Sequence, residues 1–170
     1  VAETAATHIT VHASAGANGT LPPAGSLTVA SGGSQAFTVI PNAGYHVADV
    51  LVDGASVGAV TSFNFTNVTS NHTIAASFAI DVFTITASAG ANGSIAPIGS
   101  TNVNFGGSQA YTVTPAAGYH VADVLVDGAS VGAVTSYSFT NVTANHTITA
   151  TFPFHVLPIT APPAANRTTP

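Results

Sequence analysis

The chain contains no cysteine, methionine or tryptophan. Without cysteine there is no disulfide framework, no thiolate nucleophile and no Cys-ligated zinc or iron–sulfur site. The missing sulfurs are also the side chains most readily oxidised, which suits a long-lived, exposed protein. Charge is nearly as scarce. Only 4% of the 170 residues are charged, against roughly a quarter in ordinary domains. Arg167 is the single base, there is no lysine, and six acids bring the net charge to −5. A chain with no basic patch cannot neutralise a phosphate backbone, so nucleic acid is not an expected partner. No uninterrupted apolar run approaches the roughly 18 residues of a spanning helix, so no membrane span is expected. Disorder is not expected either. Disordered chains are poor in apolar residues, whereas this one is 46% hydrophobic with a mean hydropathy of +0.44.

What the chain does have is an internal repeat. Sliding it along itself lays Ile9 to Phe78 on Phe83 to Phe152 without a gap, with 51 identities in 70 positions. The run from Ala43 to Ser62 matches Ala117 to Ser136 at every position. Differences gather before the Gly-Gly of each copy. Leu21-Pro22-Pro23-Ala24 becomes Ile95-Ala96-Pro97-Ile98, and Leu27 to Ser31 becomes Thr101 to Phe105, marking that segment as the most exposed or most specialised. The link Ala79-Ile80-Asp81-Val82 is short, so a fixed tandem is expected, not beads on a tether. The expected layout is an N-terminal segment 1–7, modules 8–79 and 82–153, and a Pro/Ala-rich tail 154–170.

Each copy reads as all-β. Alternation of apolar and polar residues runs through His8–Ala13, Ala36–Val39, Phe63–Thr66 and Thr73–Phe78, the period of a half-buried strand. Thr, Val, Ile, Phe and Tyr dominate, and turn residues punctuate them at Ala17-Asn18-Gly19, Asn42-Ala43-Gly44 and Asp53-Gly54. Asp53-Gly54 between two apolar runs predicts a type I′ hairpin, which needs positive φ at both central residues. No stretch has helical period. Six or seven short strands per copy predict a small sandwich or barrel-like module, with Ile9, Val11, Phe37, Val39, Phe65, Ile74 and Phe78 in the first core. Val113, Phe139, Ile148 and Phe152 are expected in the second.

The residues give no catalytic, cofactor or metal site. Asp49 and Asp53 lie four apart on an extended strand, roughly 13 Å at about 3.3 Å per residue, too far for a shared-proton pair. No calcium loop of alternating acids is present. The paired histidines His46/His120 and His72/His146 fit polar surface or turn positions. Eight N-x-[ST] sequons stand at Asn18, Asn64, Asn67, Asn71, Asn92, Asn141, Asn145 and Asn166, each a candidate glycan acceptor.

Gly44-Tyr45, the hairpin Asp53-Gly54, the aromatic strand Phe63-Asn64-Phe65, the turn Asn67-Val68 and the closing strand Thr73-Ile74-Ala75-Ala76-Ser77-Phe78 together resemble the divergent internalin-type B-repeat. The second copy carries the same marks, so the resemblance spans both copies and most of the chain. It implies a secreted, extracellular or cell-surface setting, with modules serving as stalks, spacers or adhesive parts, and no shared catalytic residues.

The surface points the same way. Sheets usually guard exposed edges with lysine or inward charge, and this chain has almost neither. The expectation is a non-enzymatic structural subunit of an extracellular filament or matrix, polymerising with itself head to tail by β-strand addition. Phe154, Val156, Leu157 and Ile159 are the candidate donor residues for the subunit contact, with the N-terminal segment as the competing donor. The alternative is a surface-displayed adhesive or carbohydrate-binding module. Such a module would show clustered exposed aromatics, and Tyr45 and Tyr119, each following a glycine, are the positions to watch.

Overall fold

The computed structural model describes residues 8–156, and within them every regular element is a strand. The first copy folds as β1 (His8–Ala15), β2 (Gly19–Thr20), β3 (Gly25–Ala30), β4 (Gly33–Thr38), β5 (Ile40–Pro41), β6 (Tyr45–Val52), β7 (Ala55–Ser56), β8 (Ser62–Val68) and β9 (His72–Ile80). The second follows with β10 (Val82–Ala89), β11 (Gly93–Ala96), β12 (Gly99–Asn104), β13 (Gln109–Pro115), β14 (Asp123–Val126), β15 (Ala129–Gly132), β16 (Ser136–Phe139) and β17 (His146–Thr151). The strands outnumber the expected six or seven because two-residue pairings such as β2 with β5 are too short to leave a period in the sequence.

The chain divides into two compact units. Unit 1 runs to Phe83 and also takes in Asn104–Gly107 and Asn141–Thr143; unit 2 comprises Thr84–Val103, Ser108–Thr140 and the chain from Ala144 onward. In unit 1 the main sheet has the order β3-β1-β9-β6-β7. β1 and β9 are parallel and the other neighbours antiparallel. β4 pairs with β8 and β2 with β5 to make a second layer. Both layers feed one core. β1 turns Ile9, Val11 and Ala13 inward on alternate residues, and they join Phe37, Val50, Phe65, Val68 and Ile74 in a single buried cluster. Burial of apolar area at about 25 cal/mol per Å² is what holds so small a sandwich together. The Phe37 and Phe65 rings meet edge to face at 6.0 Å. All the expected core residues of both copies are buried except Phe78, which is half-buried against the cluster.

The main sheet of the second copy has the matching order β12-β10-β17-β14-β15, and its parallel pair keeps the register of the first. Val11 faces His72 across the parallel pair of the first copy, and Ile85 faces His146 in the second. One difference is local and has a clear cause. β6 begins at Tyr45, whereas β14 begins at Asp123, the counterpart of Asp49 well inside β6. Pro153 stands where the first copy has Ala79. His120 N–H still donates to the Pro153 carbonyl at 3.2 Å, but proline has no N–H to return. The ladder is therefore reduced to the isolated bridge Tyr119–Phe154.

Candidate functional site

The Asp53-Gly54 hairpin forms as its sequence predicts. Asp53 has φ +50° and Gly54 φ +82°, and Val52 pairs with Ala55 across the two-residue loop. Asp127 and Gly128 repeat this at +51° and +80°. The hairpin delivers a carboxylate to the start of the closing strand. Thr73 N–H donates to Asp53 Oδ1 at 2.8 Å, and His72 Nδ1 lies 2.7 Å from Oδ2. Asp53 N–H in turn donates to the Thr73 carbonyl at 3.0 Å. The Phe65 ring stacks on His72 at 5.0 Å. The second copy reproduces the constellation with Asp127, His146, Thr147 and Phe139. The Thr73 amide first, and then the His72 imidazole, hold the Asp53 carboxyl below its ordinary 3.8. At Asp127 the His146 imidazole leads and the Thr147 amide follows.

This Asp–His pairing was not legible in the sequence, because the partners are far apart along the chain. Only the antiparallel pairing of β6 with β9, with Val52 opposite Ile74, brings them together. Chemically the pair is a clasp. Both carboxylate oxygens are engaged, and among the described residues no hydroxyl bonds either imidazole. Asp49 has the same character. Its Oδ1 accepts from Val50 N–H at 2.9 Å and from Ser56 Oγ at 2.6 Å, bracing the hairpin. Asp123 accepts from Ser130 Oγ at 2.6 Å and from Gly132 N–H at 3.1 Å. Among the described residues no three His, Asp or Glu side chains converge as a metal site, and no pocket is found.

Seven of the sequon asparagines are exposed: Asn18, Asn64, Asn67, Asn71, Asn92, Asn141 and Asn145. Asn166 lies outside the described residues. Several have backbone work of their own. Asn18, Asn67, Asn92 and Asn141 all have positive φ, between 51° and 71°, which asparagine tolerates better than other residues with a Cβ. At Asn67 the cause is a bulge, since Thr66 and Asn67 together oppose Ser34 between the pairs Gly33–Val68 and Gln35–Phe65. Asn71 Oδ1 accepts from Thr10 N–H at 2.9 Å and Asn145 Oδ1 from Thr84 N–H at 2.8 Å. These two side chains tie the closing turns to the first strand of each copy.

The candidate contact residues are divided by the fold. Phe154 forms the bridge to Tyr119, and the two rings meet edge to face at 5.6 Å. Its side chain is nevertheless 63% exposed, and Val156 is 79% exposed. Leu157 and Ile159 lie outside the described residues. Beside this pair, His120 and His155 face each other edge to face at 5.6 Å. The first copy has a histidine–carboxylate hydrogen bond at the same place, between His46 Nδ1 and Asp81 Oδ1 at 2.8 Å. Tyr119, itself half-buried, thus borders an exposed group of Phe154, His120 and His155. Its partners were hidden because Phe154 and His155 stand where the first copy has Ile80 and Asp81.

Two all-β copies with one shared register, clasped hairpins and no helix define a tandem β-repeat protein. The model of the divergent InlB B-repeat domain matches residues 9–81 and again 83–154, and the chain belongs to that family. No curated protein and no solved structure matches it. The family is one of cell-surface repeats, and it and the all-β fold are typical of non-enzymatic surface proteins. No helix among the described residues is long and apolar enough to cross a membrane.

Proposed function

We propose that the chain is a structural subunit of an extracellular filament or matrix, joined head to tail by β-strand addition. One observation carries the reading. β3 (Gly25–Ala30) closes one side of the main sheet, pairs with β1 on its inner side, and carries no charge and no proline along its length. β12 occupies the same place in the second copy and is equally bare. An edge of that length is a template for another strand.

The donor in this reading is the tail, and one hydrogen bond supports a start after His155. His155 N–H donates to the Gly118 carbonyl at 2.8 Å, which engages Phe154 and His155 within their own unit and favours Val156 as the first donated residue in this reading. Ordering costs roughly 1–2 kcal/mol per residue against burial of apolar area at about 25 cal/mol per Å². A short tail therefore gives a modest gain per joint, and glycans on the exposed sequons are proposed to shape the contacts around it. An N-linked sugar occupies Nδ2 and leaves Oδ1 free to accept, so the Asn71 and Asn145 bonds are compatible with modification.

Negative-stain electron microscopy and sedimentation of the chain test this. Filaments are expected from the full chain, and their loss from a chain cut after Val156. A cut after Pro153 would be uninformative, because it also removes the bridge to Tyr119. Filaments that persist without residues 157–170 overturn the donor tail. A full chain that stays monomeric at high concentration overturns the fibre, and the surface-displayed adhesive or carbohydrate-binding module takes its place.

A further inference from the structure

Unit 1 contains a seat that holds an aromatic ring. Its floor is Gly44, at φ +78°, and a Cβ there would run into the Phe105 ring. Asp81 N–H donates to the Gly44 carbonyl at 2.9 Å, and the Asp81 carbonyl accepts from Phe105 N–H at 2.8 Å. Phe83 stands 6.4 Å from the Phe105 ring on another side. The ring sits immediately before a Gly-Gly turn, held by Gly107 N–H to the Asn104 carbonyl at 2.8 Å.

Unit 2 repeats the floor of this seat; the counterpart of Phe83, Leu157, lies outside the described residues. Gly118 has φ +84°, and its carbonyl accepts from His155 N–H at 2.8 Å as Gly44 does from Asp81. The His155 carbonyl therefore has the register of the Asp81 carbonyl, and among the described residues no N–H bonds it. Phe154 borders the floor, standing 3.5 Å from where a Gly118 Cβ would be, yet is 63% exposed. Unit 1 has Ile80 at the register of Phe154, so the exposed ring is an addition that unit 2 makes to a glycine floor and a carbonyl register that both units share.

We propose that Gly118, Tyr119, Phe154 and His155 form a docking surface for an aromatic–Gly–Gly turn of a further repeat of the Phe105 type. The incoming ring lies over Gly118 and against Phe154, and its N–H bonds the His155 carbonyl. The first copy of a second chain does not supply this ring, because Ser31 occupies the register of Phe105 before its Gly32-Gly33. The proposal rests on the reading of the chain as an element of an end-joined array, and the side-chain code it adds belongs to a neighbouring repeat of the Phe105 type, not to a joint between two identical chains.

The experiment converts the first copy into a Phe105-type repeat. Ser31 is exposed, and Ser31→Phe is made in the full chain. Self-association by sedimentation velocity is expected to tighten about tenfold or more over wild type, the scale of one buried aromatic contact. No tightening overturns the proposal. Independently, unlabelled Ser31→Phe chain is added to 15N-labelled wild type. Amide shifts are expected at Gly118–His120 and Phe154–His155, and are expected to vanish when the labelled chain carries Gly118→Ala. Shifts elsewhere, or shifts that survive Gly118→Ala with the fold intact by circular dichroism, overturn it. Should Ser31→Phe not fold, a cyclic peptide of Asn104–Gly107 added to labelled wild type reads the same amides, and their silence is equally fatal. The two readings separate cleanly. Filaments from wild type with no response to Ser31→Phe retain the array and remove the ring code, whereas association of Ser31→Phe alone retains the docking surface and removes the self-polymer.

Discussion

Tyr111 occupies the register of Phe37, so its hydroxyl is an addition to a core that the first copy builds without one. The residue is 1% exposed, and its Oη has no hydrogen-bond partner among the described residues. The rings themselves are indifferent to the change: Tyr111 meets Phe139 at 5.9 Å and 84°, and Phe37 meets Phe65 at 6.0 Å and 85°. Tyr111→Phe therefore removes a desolvated hydroxyl while leaving the packing in place. A buried, unpaired hydroxyl costs about 1–3 kcal/mol, so the variant is expected to stabilise unit 2 by that amount. For a unit of this size the midpoint should rise by several degrees, at about 4–8 °C per kcal/mol. Two units need not unfold together, so amide hydrogen exchange is the assay of choice. Protection should rise at Val113 and Ile148 and stay constant at Val39 and Ile74. The reciprocal Phe37→Tyr should lower protection in unit 1 instead. If Tyr111→Phe is neutral or destabilising, the hydroxyl has a partner in solution and the reasoning is wrong.

Acid should loosen both hairpin clasps. Folding lowers the carboxyl pKa of Asp53 and Asp127, so the folded chain binds those protons more weakly than the unfolded one. The stabilisation is complete above the ordinary value of 3.8 and drains away as pH falls through the lower folded values. The carboxylates are 47% and 48% exposed, which keeps the effect modest. Melting curves from pH 6 to pH 2 should show it, and Asp53→Asn with Asp127→Asn should flatten the acid limb; an unchanged limb would count against the clasp. Native material should weigh more than the 16.7 kDa of the bare chain through sugars on one or more of the exposed sequons, with Asn67, Asn71, Asn141 and Asn145 the foremost candidates. An intact mass equal to the bare chain's would exclude that.

Local chemistry was the legible part of this fold. The ungapped repeat, the alternation in β1 and the Asp53-Gly54 turn are all written in the order of residues along the chain, and each formed as its residues dictate. Pairings across distance were not legible. The parallel contact of β1 with β9 sets Val11 against His72, from opposite ends of the first copy, and nothing in either strand encodes its partner. The Asp53–His72 clasp followed that topology into obscurity. The cluster of Tyr119, Phe154, His120 and His155 was half visible, as a tyrosine after a glycine. Its other half lay in residues that differ from the first copy and so had no template.

Those differences carry the docking proposal. The run from Ala43 to Ser62 is unchanged between copies, and it builds the hairpin and its braces. The glycine floor of the seat lies in that constant run, and among the positions that differ are the ring that fills the seat in unit 1 and the residues at the rim of its counterpart. Ser31 becomes Phe105, Ile80 becomes Phe154 and Asp81 becomes His155, with Pro153 breaking the ladder beside them. Here an aromatic appears at the register that fills a glycine-floored seat, and a second appears at the rim of the seat that unit 1 does not need to advertise. A repeat whose fold is fixed by its constant residues can specify its neighbours through a handful of variable ones, as coiled coils do with a few polar positions. In that logic Ser31 marks a copy that docks onto no seat, and Phe105 one that does.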